Sequence, residues 1–211
     1  MFHIHCGQRD WDPDEFFATG AEDVNEWMDW IGDRLERGRM LEIGCGLGRM
    51  TVAFASEFEQ VDGVDISAEM IEQAKALDPP GNVRYRVITG DGLDGIEDSA
   101  YDFVGSRAVF QHIPTEIAIA SYLKEIARVL RPGGQALLQF NTAPIGIARR
   151  IAYALPDPLL PRTSRRYMRC YRRDSGRVRE LVADAGLEIE WEHQGSSTFH
   201  YFLLRRPASA D

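Results

Sequence analysis

The chain has 211 residues, 44% hydrophobic and 27% charged, as expected of one globular domain, and no apolar run is long enough to span a membrane. A net charge of −9 argues against nonspecific binding to nucleic acid or anionic membrane. Cys6, Cys45 and Cys170 stand at unrelated spacings that make neither a disulfide framework nor a zinc ribbon, and the polar start MFHIHCGQRDWDPDE is no signal peptide, so a cytoplasmic protein is expected.

His3 and His5 form a His-x-His that reads either as a metal pair or as a frayed end. Asp12-Pro13 looks like an N-cap followed by proline in the first helical turn, predicting a short helix over 14–18. A second helix is predicted over 22–36, where Val24, Trp27, Met28, Ile31 and Leu35 recur at helical spacing. MLEIG (40–44) is a short apolar strand ending in glycine, followed by a helix over 48–58. VDGVDI (61–66) is the next strand, and Ser67 caps a helix over 68–77 that Pro79-Pro80-Gly81 stops. Strands are predicted over 83–89 and 101–106, then an amphipathic helix over 114–130 terminated by Pro132-Gly133-Gly134. A strand over 135–140, a helix over 175–185 and two strands over 187–193 and 198–204 complete seven strands. Such alternation predicts an α/β domain with a mainly parallel sheet covered on both faces, and the short link 194–197 makes the last two strands an antiparallel hairpin.

LEIGCGLGRM (41–50) supplies a tight turn in which backbone can approach a ligand, followed by a helix start. Alone it marks only a nucleotide-like ligand. Arg49 stands where a dinucleotide fingerprint needs a third small residue, and no Gly-Lys-Ser/Thr follows. What remains is Glu42 followed by Gly44, Gly46 and Gly48, with Asp65 about 20 residues beyond.

With these residues the sequence resembles the class I S-adenosylmethionine-dependent methyltransferases, on their small-molecule, ubiquinone-biosynthesis-like branch (methyltransferase type 11). The resemblance runs from about residue 38 to 140 and implies a Rossmann-like, doubly wound seven-stranded sheet. It also implies S-adenosylmethionine as cofactor and S-adenosylhomocysteine as product. Glu42, Gly44, Cys45, Gly46 and Gly48 match the motif that holds the methionine moiety, and Asp65 the acid that accepts from both ribose hydroxyls. Ile66 and Met70 match positions flanking the adenine, and Asp91 and Gly92 in TGDG match the carboxylate motif near its amino group. SRAVFQHIP (106–114), which contains Arg107, and RVLRPGG (128–134) match the later motifs. Plainer readings stay open at single positions: Asp65 and Asp91 as strand-end acids, Met70 as core, Cys45 as a small loop residue.

A sulfonium methyl is strongly electrophilic, so the enzyme's main task is to hold a nucleophile in line with the methyl–sulfur bond. A hydroxyl acceptor also benefits from a base, and His112, just past the fourth predicted strand, is the candidate; shaping the cofactor pocket is its alternative role. Residues 147–179 carry ten arginines against Asp157 and Asp174, a net +8 that leaves −17 on the rest. Arginine suits planar recognition of phosphate or carboxylate. Tyr153, Arg165, Arg166 and Tyr167 are therefore candidate contacts to an anionic small molecule, set against a plain solvated basic surface. The expected layout is one domain over 1–211: N-terminal helices (1–37) over the active-site edge, a cofactor core (38–140), a lid (141–172) and a C-terminal helix and hairpin (173–211). The predicted reaction is methyl transfer to a hydroxyl of a small molecule, without nucleic-acid, membrane or metal partners. The competing readings are a cofactor-binding regulator without turnover and an NAD-dependent oxidoreductase.

Overall fold

The computed structural model describes residues 4–6, 9–32, 35–90, 92–143, 170–194 and 199–208. Asp91, the predicted contacts Tyr153, Arg165, Arg166 and Tyr167, and His3 lie outside the described residues. The described elements are β1 (Ile4–Cys6), β2 (Arg9–Trp11), α1 (Pro13–Ile31), β3 (Arg39–Ile43), α2 (Arg49–Phe54), β4 (Gln60–Asp65) and α3 (Ala68–Ala76). They continue with β5 (Val83–Val87), β6 (Tyr101–Ser106), α4 (Glu116–Val129), β7 (Leu130–Asn141), α5 (Ser175–Asp184), β8 (Glu188–Gln194) and β9 (Phe199–Arg205).

Seven strands form one sheet in the order β5-β4-β3-β6-β7-β9-β8. β3 to β7 pair in parallel, while β9 runs antiparallel to both β7 and β8. Successive side chains on a strand face opposite layers. Met40, Phe103, Leu137 and Leu203 accordingly pack with Val24, Trp27, Met50 and Phe54 of α1 and α2. Their neighbours Leu41, Val104, Leu138 and Leu204 pack with Ile119, Leu123, Val178 and Val182 of α4 and α5. This doubly wound order brings the carboxyl ends of β3, β4 and β6 side by side, the edge where open α/β sheets bind ligands.

Three expectations are corrected. The helices over 14–18 and 22–36 are one 19-residue helix, α1, capped by the Asp12 side chain on the N–H groups of Asp14 and Glu15. It passes through Gly20 without a break because the missing side chain is a packing requirement: a Cβ there would come 2.2 Å from the Arg49 carbonyl oxygen. β7 begins at Leu130 rather than after the glycines, since Leu130 is already extended (φ −64°, ψ 143°) and a helix could not continue into Pro132. The N-terminal residues form a short hairpin, β1–β2, with Ile4 opposite Trp11. No described helix is long and apolar enough to cross a membrane.

Candidate cofactor and acceptor site

From β3 the chain turns through Gly44, Gly46 and Gly48 with φ of 75°, 55° and 83°, values that favour glycine. The outer two also allow close approach: a Cβ on Gly44 would stand 2.2 Å from Val109 Cγ2, and one on Gly48 1.9 Å from the Tyr85 hydroxyl. At Gly46 a Cβ would meet nothing within 4 Å, so this peptide faces open space. The Gly46 N–H donates to Asp65 Oδ2 and the Ser67 N–H to Oδ1, each at 2.9 Å. The carboxylate is thus fixed at the tip of β4, between the glycine loop and the start of α3.

Glu42 is buried on β3, where it accepts a hydrogen bond from the Thr51 hydroxyl. Burial pushes its carboxyl up to about 7. Burial likewise raises the Cys45 thiol, which keeps its proton and serves as a small wall residue rather than a nucleophile.

Two hollows lie along the edge and share Gly44 and Ala108. The first, of about 410 Å³, is bounded by Phe16, Glu42, Cys45, Met70, Arg107 and Phe199, among others. The second, of about 480 Å³, is bounded by Asp65, Ile66, Ile88, Gly90, His112 and Tyr122, among others. The structure therefore gathers Glu42, Gly44, Cys45, Gly46, Asp65, Ile66, Met70, Arg107 and His112 at one edge. It separates His112 from the Arg107 hollow and places its Nε2 3.3 Å from the Gln111 amide nitrogen. Gly92 borders neither hollow; a Cβ there would face Glu125 of α4 at 3.3 Å, and Gly90 borders the second hollow instead.

Sequence reasoning missed Phe16, Gln139, Phe199 and Tyr122. Gln139 had a signal, an amide amid the apolar run ALLQF: it is fully buried, and its Oε1 accepts the Ala108 N–H at 2.8 Å, which fixes the turn after β6. The others come from elements that only folding brings together. Arg107 pairs with Asp23 of α1, and so does Arg49 at 2.6 Å, which pins α1 beside the first hollow. Of the arginine-rich stretch, the described members are bound to protein groups. Arg173 donates to the carbonyls of Ile113 and Pro114, and Arg172 to that of Ala143. Arg177 pairs with Glu116 and Glu180, and Arg179 with Glu192.

Residues 41–138 match the model of the methyltransferase domain family. Ubiquinone biosynthesis O-methyltransferase from Xanthomonas oryzae is 30% identical over 172 residues, covering 77% of this chain and 69% of the relative. The chain belongs to the class I S-adenosylmethionine-dependent methyltransferases. The enzyme of the same description from Burkholderia pseudomallei is 29% identical over 193 residues, 85% of this chain and 78% of that one. Among solved structures, a methyltransferase from Methanosarcina mazei superposes with a TM-score of 0.70 at 21% identity, over 85% of this chain and 98% of its own. Magnesium protoporphyrin IX methyltransferase from Synechocystis, solved with S-adenosylhomocysteine bound, gives 0.66 at 21% identity, over 95% and 90%. The oxidoreductase alternative falls with this membership, and the cofactor is S-adenosylmethionine.

The groove of the methyltransferase fits that cofactor. A diol can donate to the fixed Asp65 carboxylate, the exposed Ile66 with Ile88 offers apolar surface to a flat ring, and the buried Glu42 carboxyl suits an ammonium group near the open Gly46 peptide. The cofactor supplies an electrophilic methyl group on a sulfonium. Glu42 and the glycine loop would hold its amino-acid end in the first hollow, and Asp65 with Ile66 its adenosine in the second.

Proposed function

We propose that this methyltransferase acts on a hydroxyl oxygen of a small, planar, anionic molecule bound at the Phe16–Arg107–Phe199 side of the first hollow, next to the cofactor's amino-acid end. The observation that carries the reading is the lining itself: Phe16, Met50 and Phe199 offer apolar surface beside the Arg107 guanidinium and the Gln139 amide. The names of the Xanthomonas and Burkholderia relatives, as O-methyltransferases, favour oxygen as the acceptor atom. The arginines of 144–169, with Tyr153 and Tyr167, favour an anionic substituent, since the connection that carries them leaves β7 at this edge. Release of S-adenosylhomocysteine is measured over phenols with and without carboxylate or phosphate groups, and over amines and thiols. Phenols bearing an anionic group are expected to turn over best; turnover confined to amines or thiols refutes the reading. Charge reversal at Arg165 and Arg166 should raise KM for the anionic acceptors about tenfold (~1.4 kcal/mol) and remove its salt dependence. We further read His112 as a wall of the adenosine side rather than as the base, because it borders the hollow of Ile66 and Ile88. His112→Ala should weaken cofactor binding while kcat stays within about threefold. A kcat loss of about 100-fold with unchanged cofactor affinity would restore it as the base.

A further inference from the structure

The parallel strands β3, β4 and β6 are each followed by a helix, α2, α3 and α4, that covers the sheet before the next parallel strand. The connection from β5 to β6 differs, because its described residues form no helix. Parallel strands covered on both faces are normally apolar throughout. Under this connection they are not. Arg84 stands opposite Asp62 and Arg86 opposite Val64, and residues two apart share a face, so both arginines of β5 lie beside Asp62 on one side of the sheet. With Gly95, Ile96 and Glu97 of the connection they bound a hollow of about 460 Å³, in which Val64 and Ile96 supply apolar surface.

The charged groups of this hollow divide in two. Arg39, at the start of β3, is matched within the protein: it pairs with Glu97 at 3.1 Å and Asp62 at 3.3 Å and lies 4.9 Å over the Tyr101 ring. Asp62 Oδ2 also accepts from the Tyr101 hydroxyl at 2.7 Å and the Gln60 amide at 3.0 Å. The cations of β5 are not matched. Arg86 gives one of its five N–H groups to the Gly95 carbonyl at 2.6 Å. Arg84 is exposed and has no hydrogen bond or ion pair among the described residues. Three arginines against Asp62 and Glu97 leave a positive charge here, in a chain whose net charge is −9. The hollow shares no lining residue with the two hollows of the cofactor groove. Asp62 lies three residues before Asp65 on β4, about 10 Å toward the amino ends of the strands.

We propose that this face of β4 and β5 is a second binding site, for a small phosphorylated polyol that is neither the cofactor nor the methyl acceptor. The volume falls within the range of small-molecule sites. Arg84 and Arg86 stand on alternate residues, with Cα atoms about 7 Å apart, and the three oxygens of a phosphate can bridge guanidinium groups so spaced. The hydrogen bonds to Asp62 fall on Oδ2, so Oδ1 accepts from a hydroxyl of the same ligand. The phosphate therefore lies over β5 and the polyol points toward β4.

The test is calorimetry on the full chain saturated with S-adenosylhomocysteine, so that the groove is filled. Ribose 5-phosphate, inorganic phosphate and ribose are titrated in turn. Ribose 5-phosphate is expected to bind, inorganic phosphate about tenfold more weakly, and ribose not measurably. Arg84→Gln changes an exposed side chain without a partner and should melt with the wild type. It should weaken ribose 5-phosphate about tenfold, Arg84→Glu should abolish its binding, and cofactor affinity should stay unchanged in both. No binding at about 10 mM ribose 5-phosphate overturns the site. So does equal affinity in the wild type and Arg84→Glu, or binding seen only when S-adenosylhomocysteine is left out, which would move the ligand to the groove. Inorganic phosphate binding as tightly as ribose 5-phosphate would overturn the polyol and its contact with Asp62.

Discussion

Glu42 is a carboxyl group buried on β3, where it accepts a hydrogen bond from the Thr51 hydroxyl. Desolvation raises its pKa from 4.5 to about 7, so the folded state holds this proton more tightly than the unfolded state does. Its contribution is fully present below about pH 4.5 and is lost as pH rises through 7, a difference of roughly 3 kcal/mol. Glu42→Gln should therefore melt above the wild type at pH 8, with the gap closing toward pH 4.5; a gap independent of pH would sink the argument. An ammonium group arriving near this carboxyl favours its ionised form, so cofactor binding near neutral pH should release a proton. Calorimetry in buffers of different ionisation enthalpy reads that release directly, and identical heats in all buffers would refute it. Asp65 works differently, as an acceptor held in place by the Gly46 and Ser67 N–H groups. Asp65→Asn should raise the cofactor Kd about 10- to 100-fold, the ~1.5–3 kcal/mol of hydrogen bonds to a charged group.

The packing of α1 on α2 turns on one absent side chain. Alanine normally gains about 1 kcal/mol over glycine inside a helix. At Gly20 the new Cβ would meet the Arg49 backbone at 2.2 Å, which cannot swing aside, so Gly20→Ala should destabilise the protein in urea melts and displace Phe16 from the groove. A more stable Gly20→Ala protein would show that the two helices have room to part. This residue also shows what the sequence leaves hidden. The strand–helix alternation was legible because parallel strands buried on both faces, such as Tyr101–Ser106, read as apolar runs between capped amphipathic helices. The predicted helices stop at 18 and resume at 22, and Gly20 between them is set by its contact with Arg49, which local propensity does not record. The three-residue strands β1 and β2 are too short to show a period. At the site the same division holds. Glu42, the glycine loop and Asp65 sit within one β-α-β unit and announce themselves by spacing. Phe16 of α1 and Phe199 of β9 come to the same hollow only once the chain is folded.

For the whole molecule, the acidic body and its arginines are coupled at the groove. Asp23 bridges α1 to Arg49, beside the glycine loop, and to Arg107, after β6. The C-terminal half of α1 does not depend on this bridge, since Val24, Trp27 and Ile31 are buried against the sheet. The N-terminal half, which carries Phe16, rests on a smaller apolar patch with Leu47. A partly exposed ion pair contributes little to global stability, about 1 kcal/mol or less, so Asp23→Asn should melt close to the wild type. Its effect should instead be local, because opening one end of a helix costs less than unfolding the domain. Amide exchange by mass spectrometry should show residues 14–20 exchanging about tenfold faster in Asp23→Asn, with 24–31 unchanged. Release of the cofactor should quicken in parallel, since Phe16 and Arg107 border the same hollow. Uniform protection along α1 would mean that the helix moves as one rigid body and that Asp23 has no part in gating the groove.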